Sequence, residues 1–314
     1  MYDRRPARPG PLASGAKLIN SMARLEARLA QNVEGEFYVD DTCIDCDTCR
    51  QLAPSIYARS QPIEQSYVCR QPRSEAERLR ALMALVACPT ASIGTLGKTN
   101  ARAAASRFPE RIADEVYYCG FTSTASFGGS SYLLRRANGN VLIDSPRAAG
   151  PLLRRLVELG GVRRMLLTHR DDVADHARFA EIFRCERVLH KDDVSAATRD
   201  VEVQLAGREP VSLGDGFEAI PVPGHTRGSV AFLYQRKFLF TGDHLWWSPN
   251  VNGLHASPRV CWWDWKHQIE SMERLLDYEF EWVLPGHGWR YQASSAAAMR
   301  SEVQQLIGRM RRAK

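Results

Sequence analysis

The 314-residue chain has no apolar run approaching the ~18 residues that a membrane-crossing helix needs, so no transmembrane helix and no membrane partner are expected. An export signal is missing too. The N-terminal stretch carries Arg4, Arg5, Arg8, Lys17, Arg24 and Arg28, has acids at Asp3, Glu26 and Glu34, and contains no apolar core, which predicts a cytoplasmic protein. Aromatic and basic residues do not interleave. The net charge of +6 is therefore read as an Arg-rich solvated surface, and no nucleic-acid partner is expected. Internal repeats are absent, and tryptophan is missing from the first 245 residues. Cysteine is not scarce: Cys43, Cys46, Cys49, Cys69, Cys88, Cys119, Cys185 and Cys261. Without export a disulfide framework is not expected, and the clustering of five of them between 43 and 88 points to metal chemistry.

Composition shifts divide the chain. Residues 1–34 read as a basic, partly disordered leader with a short helix over "AKLINSMARLEARLAQN", where Leu18, Met22, Leu25 and Leu29 recur at helical spacing. Residues 35–98 hold the clustered cysteines, and 99–114 are polar and small, as in a linker. From 115 to 314, apolar strands alternate with helical segments, which predicts a layered α/β domain. Asn138-Gly139 between two apolar runs predicts a hairpin.

"CIDCDTC" sets Cys43, Cys46 and Cys49 at C-x2-C-x2-C spacing, and Cys88 precedes Pro89 in "VACPTASIG". Three cysteines in a row with a distant Cys-Pro resemble the single-cluster bacterial-type ferredoxin domain, an α+β unit. The resemblance implies one [4Fe–4S] cluster held by Cys43, Cys46, Cys49 and Cys88. A zinc knuckle, the competing reading, ordinarily uses paired C-x2-C ligands. Cys69 is read as a packing residue, and "SEAERLRALMALVA" as one helix that starts with a capping box at Ser74 and Glu77 and ends at Cys88.

The second constellation begins at "THRDDVADH", which packs two histidines and three aspartates into residues 169–176. His225 in "VPGHTRGS", Asp243 in "LFTGD" and His287 in "LPGHG" each follow an apolar strand, so all can emerge at one sheet edge. With Asp144 in "VLIDSP", these segments resemble, in order, the motifs of the metallo-β-lactamase fold superfamily. The resemblance implies an αββα sandwich with a two-metal site at its strand ends. It assigns His169, Asp171 and His225 to the first metal, Asp175, His176 and His287 to the second, and Asp243 to a bridge. The family loop is H-x-H-x-D-H. Here Asp171 stands at the second histidine position, with Asp172 competing for that role, and two extra residues precede Asp175-His176. Asp243 and His255, the latter from a Gly- and Pro-rich loop, are the expected catalytic residues. Asp144 is read as structural, His190 as a surface or supporting residue, His244 as facing pocket or core, and Trp246 and Trp263 as walls of an apolar pocket.

A dinuclear centre of this family ordinarily hydrolyses esters, thioesters or phosphodiesters, which leaves the cluster as a structural staple. A carboxylate-enriched centre beside a one-electron carrier instead resembles the flavodiiron oxygen and nitric oxide reductases, although their loop carboxylate is a glutamate and this chain has no flavodoxin domain. The favoured expectation is a di-iron oxidoreductase fed by its own cluster. Its partners would be a small-molecule substrate and an external electron donor, and zinc in a hydrolase is the alternative.

Overall fold

The computed structural model describes residues 23–313. Of the helix read over 16–32, residues 16–22 lie outside them; residues 23–32 correct the rest, forming a 3-10 turn at Leu25–Ala27 and a bridge from Arg28 to Asp40 in place of a helix. The cysteine-rich unit comprises β1 (Phe37–Val39), α1 (Thr48–Leu52), β2 (Tyr57–Ser60), β3 (Gln65–Val68), α2 (Glu75–Ala87) and β4 (Ile93–Thr95). β1 pairs with β4 and β2 with β3, both antiparallel. The Ser74 hydroxyl caps α2 by accepting from the Glu77 N–H, and the helix ends where Cys88 takes its C-cap position.

Residues 99–114, read as a linker, contain α3 (Arg102–Ala105) and β5 (Glu110–Ala113). β5 is the edge of a seven-stranded sheet; its half-buried, polar composition is what an edge strand shows and what makes it read as linker. The sheet continues with β6 (Val116–Tyr118), β7 (Tyr132–Leu134), β8 (Val141–Ile143), β9 (Arg164–Leu166), β10 (Glu186–His190) and β11 (Val203–Leu205), with α4 (Gly150–Glu158) and α5 (His176–Phe183) as crossovers. β5 to β8 form an antiparallel meander, and β8 to β11 run parallel. The predicted hairpin is β7–β8, with Gly139 at φ 103° in its turn.

A second sheet holds β12 (Val211–Gly214), β13 (Phe217–Pro221), β14 (Val230–Tyr234) and β15 (Phe238–Gly242). The ribbon β16 (Trp246–Ser248) and β17 (Gly253–His255) and helix α6 (Trp265–Arg274) follow, and β18 (Trp282–Pro285) and β19 (Tyr291–Gln292) complete the sheet before α7 (Ala296–Met310). Period-two alternation decides the layering. Phe232, Tyr234, Phe238 and Phe240 face the first sheet, where Leu152 and Leu156 of α4 join the same core. Their neighbours Ala231, Leu233 and Leu239 face α6 and α7 with Met272, Met299 and Val303. Each such burial stabilises by about 1.5–3 kcal/mol. The result is an αββα sandwich preceded by a small α+β unit, as the motifs imply.

The two units share one core. Phe108 packs edge-on against Tyr118 and Phe121 at 5.9 and 5.6 Å, within the cluster that also holds Met83 and Ala84 of α2. Polar links reinforce it: Thr122 Oγ1 donates to Ala87 O at 2.7 Å, and Gln51 Nε2 of α1 donates to Gly288 O at 2.8 Å. The Gln51 bond fastens the cysteine-rich unit to the loop that carries His287.

Candidate metal centre beside the cluster cavity

The loops carrying Asp144, His169, His225, Asp243 and His287 all follow the C-terminal ends of strands β8, β9, β13, β15 and β18. β8 and β9 run parallel, as do β15 and β18, so these ends gather at one rim of the sandwich. His169 and His225 meet edge to face, with ring centroids 4.8 Å apart. Both Nε2 atoms aim at Asp243 Oδ2, each from 3.7 Å, and at Asp171 Oδ2, from 3.9 Å for His169 and 3.4 Å for His225. The other ring nitrogens are tied back: His169 Nδ1 to Thr168 Oγ1 at 3.0 Å, and His225 Nδ1 to Val260 O at 2.6 Å. Such a tie leaves Nε2 free to bind a metal. Thr168 is in turn held by Asp144, which accepts from its N–H and its hydroxyl, so Asp144 braces the loop from beneath.

Asp172, the competing candidate at sequence level, is fully buried, and a metal-sized cluster forms from His169, Asp172 and Asp243 beside the one from His169, Asp171 and His225. His287 closes the far side, its Nδ1 2.8 Å from Asp243 Oδ1 and its Nε2 3.1 Å from Ser126 O. Six side chains converge: three imidazoles and three carboxylates.

The Asp175–His176 assignment is corrected. The Asp175 carboxylate accepts from the Ala148 N–H at 2.7 Å, and the side chain makes no capping bond to α5. His176 is buried with Nδ1 3.1 Å from Arg187 Nη1, and Arg187 is held by Glu202 and by the Asp200 carbonyl. The two-residue insertion is the physical reason. With it, Asp172 already reaches Asp243, and the Asp175-His176 pair is carried on to the start of α5, which packs on β10.

His255 is corrected as well. It pairs with Trp246 across the β16–β17 ribbon, its ring 5.3 Å from the indole, and Trp246, not His255, lines the cleft. Trp263 packs at a tilt against His267, and its neighbour Trp262 takes the wall position, 6.0 Å from the His225 ring. His190 is buried and holds Gly207 O and the Asp192 N–H, away from the centre. His244 is buried with neither ring nitrogen partnered and does not line the cleft.

The electrostatics suit a cation site. Burial raises Asp172 well above the carboxylate range, with Asp243 adding to the effect. Burial opposes the charge of His287, but Asp243 outweighs it and holds the ring protonated up to about 10, while burial pushes His169 down to about 4. His169 Nε2, His225 Nε2 and both Asp172 oxygens are buried without hydrogen-bond partners. Buried polar atoms are rarely left so, and these four are metal donors that meet around Asp243, so the residues fit divalent ions.

The cysteines fit their group equally. Cys43, Cys46, Cys49 and Cys88 line one small cavity, none is disulfide-bonded, and Cys69 instead donates to Ile56 O at 3.3 Å. Cys46 also belongs to the wall of the metal cleft. That cleft, about 610 Å³, is lined by Asp45, Cys46 and Asp47 on one side, by Asp171, Asp172, His225, Asp243 and His287 at its floor, and by Phe127, Trp246, Val260 and Trp262 at its rim. Phe127, Ser126 and the aspartates flanking Cys46 were not singled out from the sequence; the Phe-Gly-Gly turn at 127–129 was the available signal.

Comparison with known proteins finds relatives of both units. Residues 39–95 match the 4Fe-4S single cluster domain of Ferredoxin I. Hydroxyacylglutathione hydrolase of Anaeromyxobacter dehalogenans is 35% identical over 131 residues, 40% of this chain and 49% of that protein. The enzyme of the same name from Photorhabdus laumondii is 32% identical over 118 residues, 36% of this chain and 46% of that protein. The chain thus spans about half the length of these curated relatives. Among solved structures, ETHE1 from Myxococcus xanthus aligns with 61% of this chain and 84% of its own at 20% identity and a TM-score of 0.44. Residues 126–287, more than half of the chain, match the family described as the metallo-beta-lactamase superfamily, and the protein is a member of that superfamily.

Proposed function

We propose that this metallo-β-lactamase-fold metalloenzyme is an oxidoreductase whose His/carboxylate centre holds two irons and takes electrons from its own [4Fe–4S] cluster. One observation carries the reading: Cys46, a candidate cluster ligand, lines the same cleft as five of the six candidate metal ligands. A cluster serving only as a staple has no need of that placement. The donor set supports iron. His169, Asp171 and His225 make a two-histidine, one-carboxylate set, which suits non-haem iron. The second half, with His176 turned away, is left with Asp172, Asp243 and His287, an oxygen-rich set for a hard ion.

Bound there, the ions would supply Lewis acidity and one-electron valence change, and the cluster would supply the electrons. The chain's own residues do the rest. Asp171, 45% exposed at the cleft and kept ionised chiefly by the His225 imidazole 3.4 Å away, would hold the first metal from the side open to substrate. Asp243 orients His287 and faces both His169 and His225, which gives it the bridging position. Phe127, Trp246 and Trp262 give the cleft an apolar rim and favour a small substrate with an apolar body. Cys43, Cys46, Cys49 and Cys88 would hold the cluster, which would draw its electrons from an external donor, and thiolate ligands suit a reducing, cytoplasmic setting.

The relationship to the two hydroxyacylglutathione hydrolases supports a second reading, thioester hydrolysis with a structural cluster. Metal analysis of anaerobically purified protein separates the two. Iron beyond the four of the cluster, retained as two atoms per chain when Cys46→Ala removes the cluster, is the expected result. Zinc in the centre, with hydroxyacylglutathione cleaved equally well by the cluster-free variant, would overturn the redox reading.

A further inference from the structure

Asp193 has no place in either metal set, yet it is bonded to both ligand loops. It is 1% exposed and ends the 3-10 turn Lys191–Asp193 that follows β10. Its Oδ2 accepts from the Arg170 N–H at 2.9 Å, the peptide between His169 and Asp171. The same oxygen accepts from Thr226 Oγ1 at 2.5 Å, and Oδ1 accepts from the Gly228 N–H at 2.8 Å; both donors belong to the turn that presents His225. Three donors converge on one buried carboxylate, which is the arrangement that holds a charged acceptor rigidly. The turn beneath is itself anchored: His190 Nδ1 accepts from the Asp192 N–H, and His190 Nε2 bonds Gly207 O.

We infer that Asp193 is a positioning residue for the metal centre: it locks the His169–Asp171 loop to the His225 turn and so sets the separation of the three first-metal donors. The 3.4 Å between His225 Nε2 and Asp171 Oδ2 spans the two loops that Asp193 joins; a backbone bond from the Val230 N–H to Thr168 O at 2.8 Å ties their bases, and Asp193 ties the turns themselves. The inference rests on the metal-centre assignment and not on the choice between redox and hydrolytic chemistry.

The test uses untagged full-length protein that keeps its cluster, stripped of other metals by chelation and titrated with Co(II), whose visible spectrum reports coordination geometry. Asp193→Ala and Asp193→Asn should lose roughly 10–100-fold in Co(II) affinity, with an altered ligand-field spectrum, while cluster absorbance and cooperative unfolding persist. Asp192→Asn, next door and engaged only with Arg227 and the His190 ring through its backbone, should bind Co(II) as wild type does. Either Asp193 variant binding within twofold of wild type with an unchanged spectrum would overturn the inference, as would equal loss in Asp192→Asn. Loss of cluster and Co(II) site together in both variants would make Asp193 a determinant of the whole fold and overturn it too. Failure of the wild type to take up Co(II) would instead remove the metal-centre assignment itself.

Discussion

Cys46 and Asp172 lie against the two halves of a single dipeptide. A Cβ placed on Gly128 would fall 2.5 Å from Cys46 Cβ and 2.9 Å from its Sγ, and one placed on Gly129 would fall 2.6 Å from Asp172 Oδ1. One peptide unit of backbone therefore separates a candidate cluster thiolate from a candidate ligand of the metal centre. Ser126, two residues earlier, accepts from His287 through its carbonyl. The loop 126–129 is the material between the two sites.

Substitution of these glycines should separate the sites experimentally. Gly128 has φ +88°, so Gly128→Ala adds left-handed strain of about 1–2 kcal/mol to a clash with Cys46. The expected outcome is a loss of cluster absorbance. Gly129→Ala presses on Asp172 instead and should lower metal content while leaving the cluster spectrum in place. Identical losses from both variants would show that the loop acts only on global folding.

The corrected ligand set predicts a contrast between neighbouring residues. Asp172→Ala should remove about one metal ion per chain, as judged by elemental analysis, because Asp172 supplies a donor to only one of the two clusters. Asp175→Asn should keep full metal content and cost about 1 kcal/mol in urea unfolding, the worth of its bond to Ala148. His176→Ala should also keep its metals but destabilise by about 1–3 kcal/mol, since it cuts a buried contact of Arg187. Loss of metal from the Asp175 or His176 variant would restore the assignment based on family resemblance.

Asp171→His supplies the histidine the family usually carries. A third imidazole in place of a hard carboxylate should move the first set toward zinc, and the zinc-to-iron ratio of protein grown in medium holding both should rise several-fold, roughly three to ten. An unchanged ratio would mean that Asp171 does not set metal preference.

Metal uptake by the metal-free protein should release protons and strengthen with pH. The sign follows from the directions of the shifts. Burial raises Asp172 well above the usual carboxylate range, and His287 stays protonated up to about 10 because Asp243 outweighs its burial, so a metal arriving at pH 7 must displace the His287 proton, and the raised Asp172 adds to proton competition in the same direction. His169, pushed down to about 4 by burial, is already neutral there and releases none. Apparent affinity therefore rises between pH 6 and 9 and is lost as pH falls. Calorimetric titration in buffers of differing ionisation enthalpy should show a buffer-dependent heat; equal heats in all buffers would contradict these protonation states.

Much of the site was legible because its chemistry is local in sequence. C-x2-C-x2-C and Cys-Pro name a cluster whatever surrounds them, and strand–turn units ending in "PGHTRGS", "FTGD" and "LPGHG" carry their ligands on short segments whose geometry the turn dictates. The layering was legible for the same kind of reason: alternation in "SVAFLY" and "KFLF" splits the second sheet between two cores. The edge strand at 110–113 was not, because half-buried polar residues have the composition of a linker and become a strand only when β6 offers its hydrogen bonds.

"THRDDVADH" marks where sequence reading stopped. Residue types and order there determined that a metal loop exists and that it departs from its relatives. Which aspartate faces the metals was decided by three-dimensional packing: Ala148 and Arg187 compete for Asp175 and His176, and Gly129 leaves the space into which Asp172 reaches. The adjacency of Cys46 to the metal cleft is likewise a property of the folded chain alone. It arises because one hydrophobic core spans both units and Gln51 fastens α1 to the His287 loop through Gly288, 237 positions away, a link that no local pattern encodes.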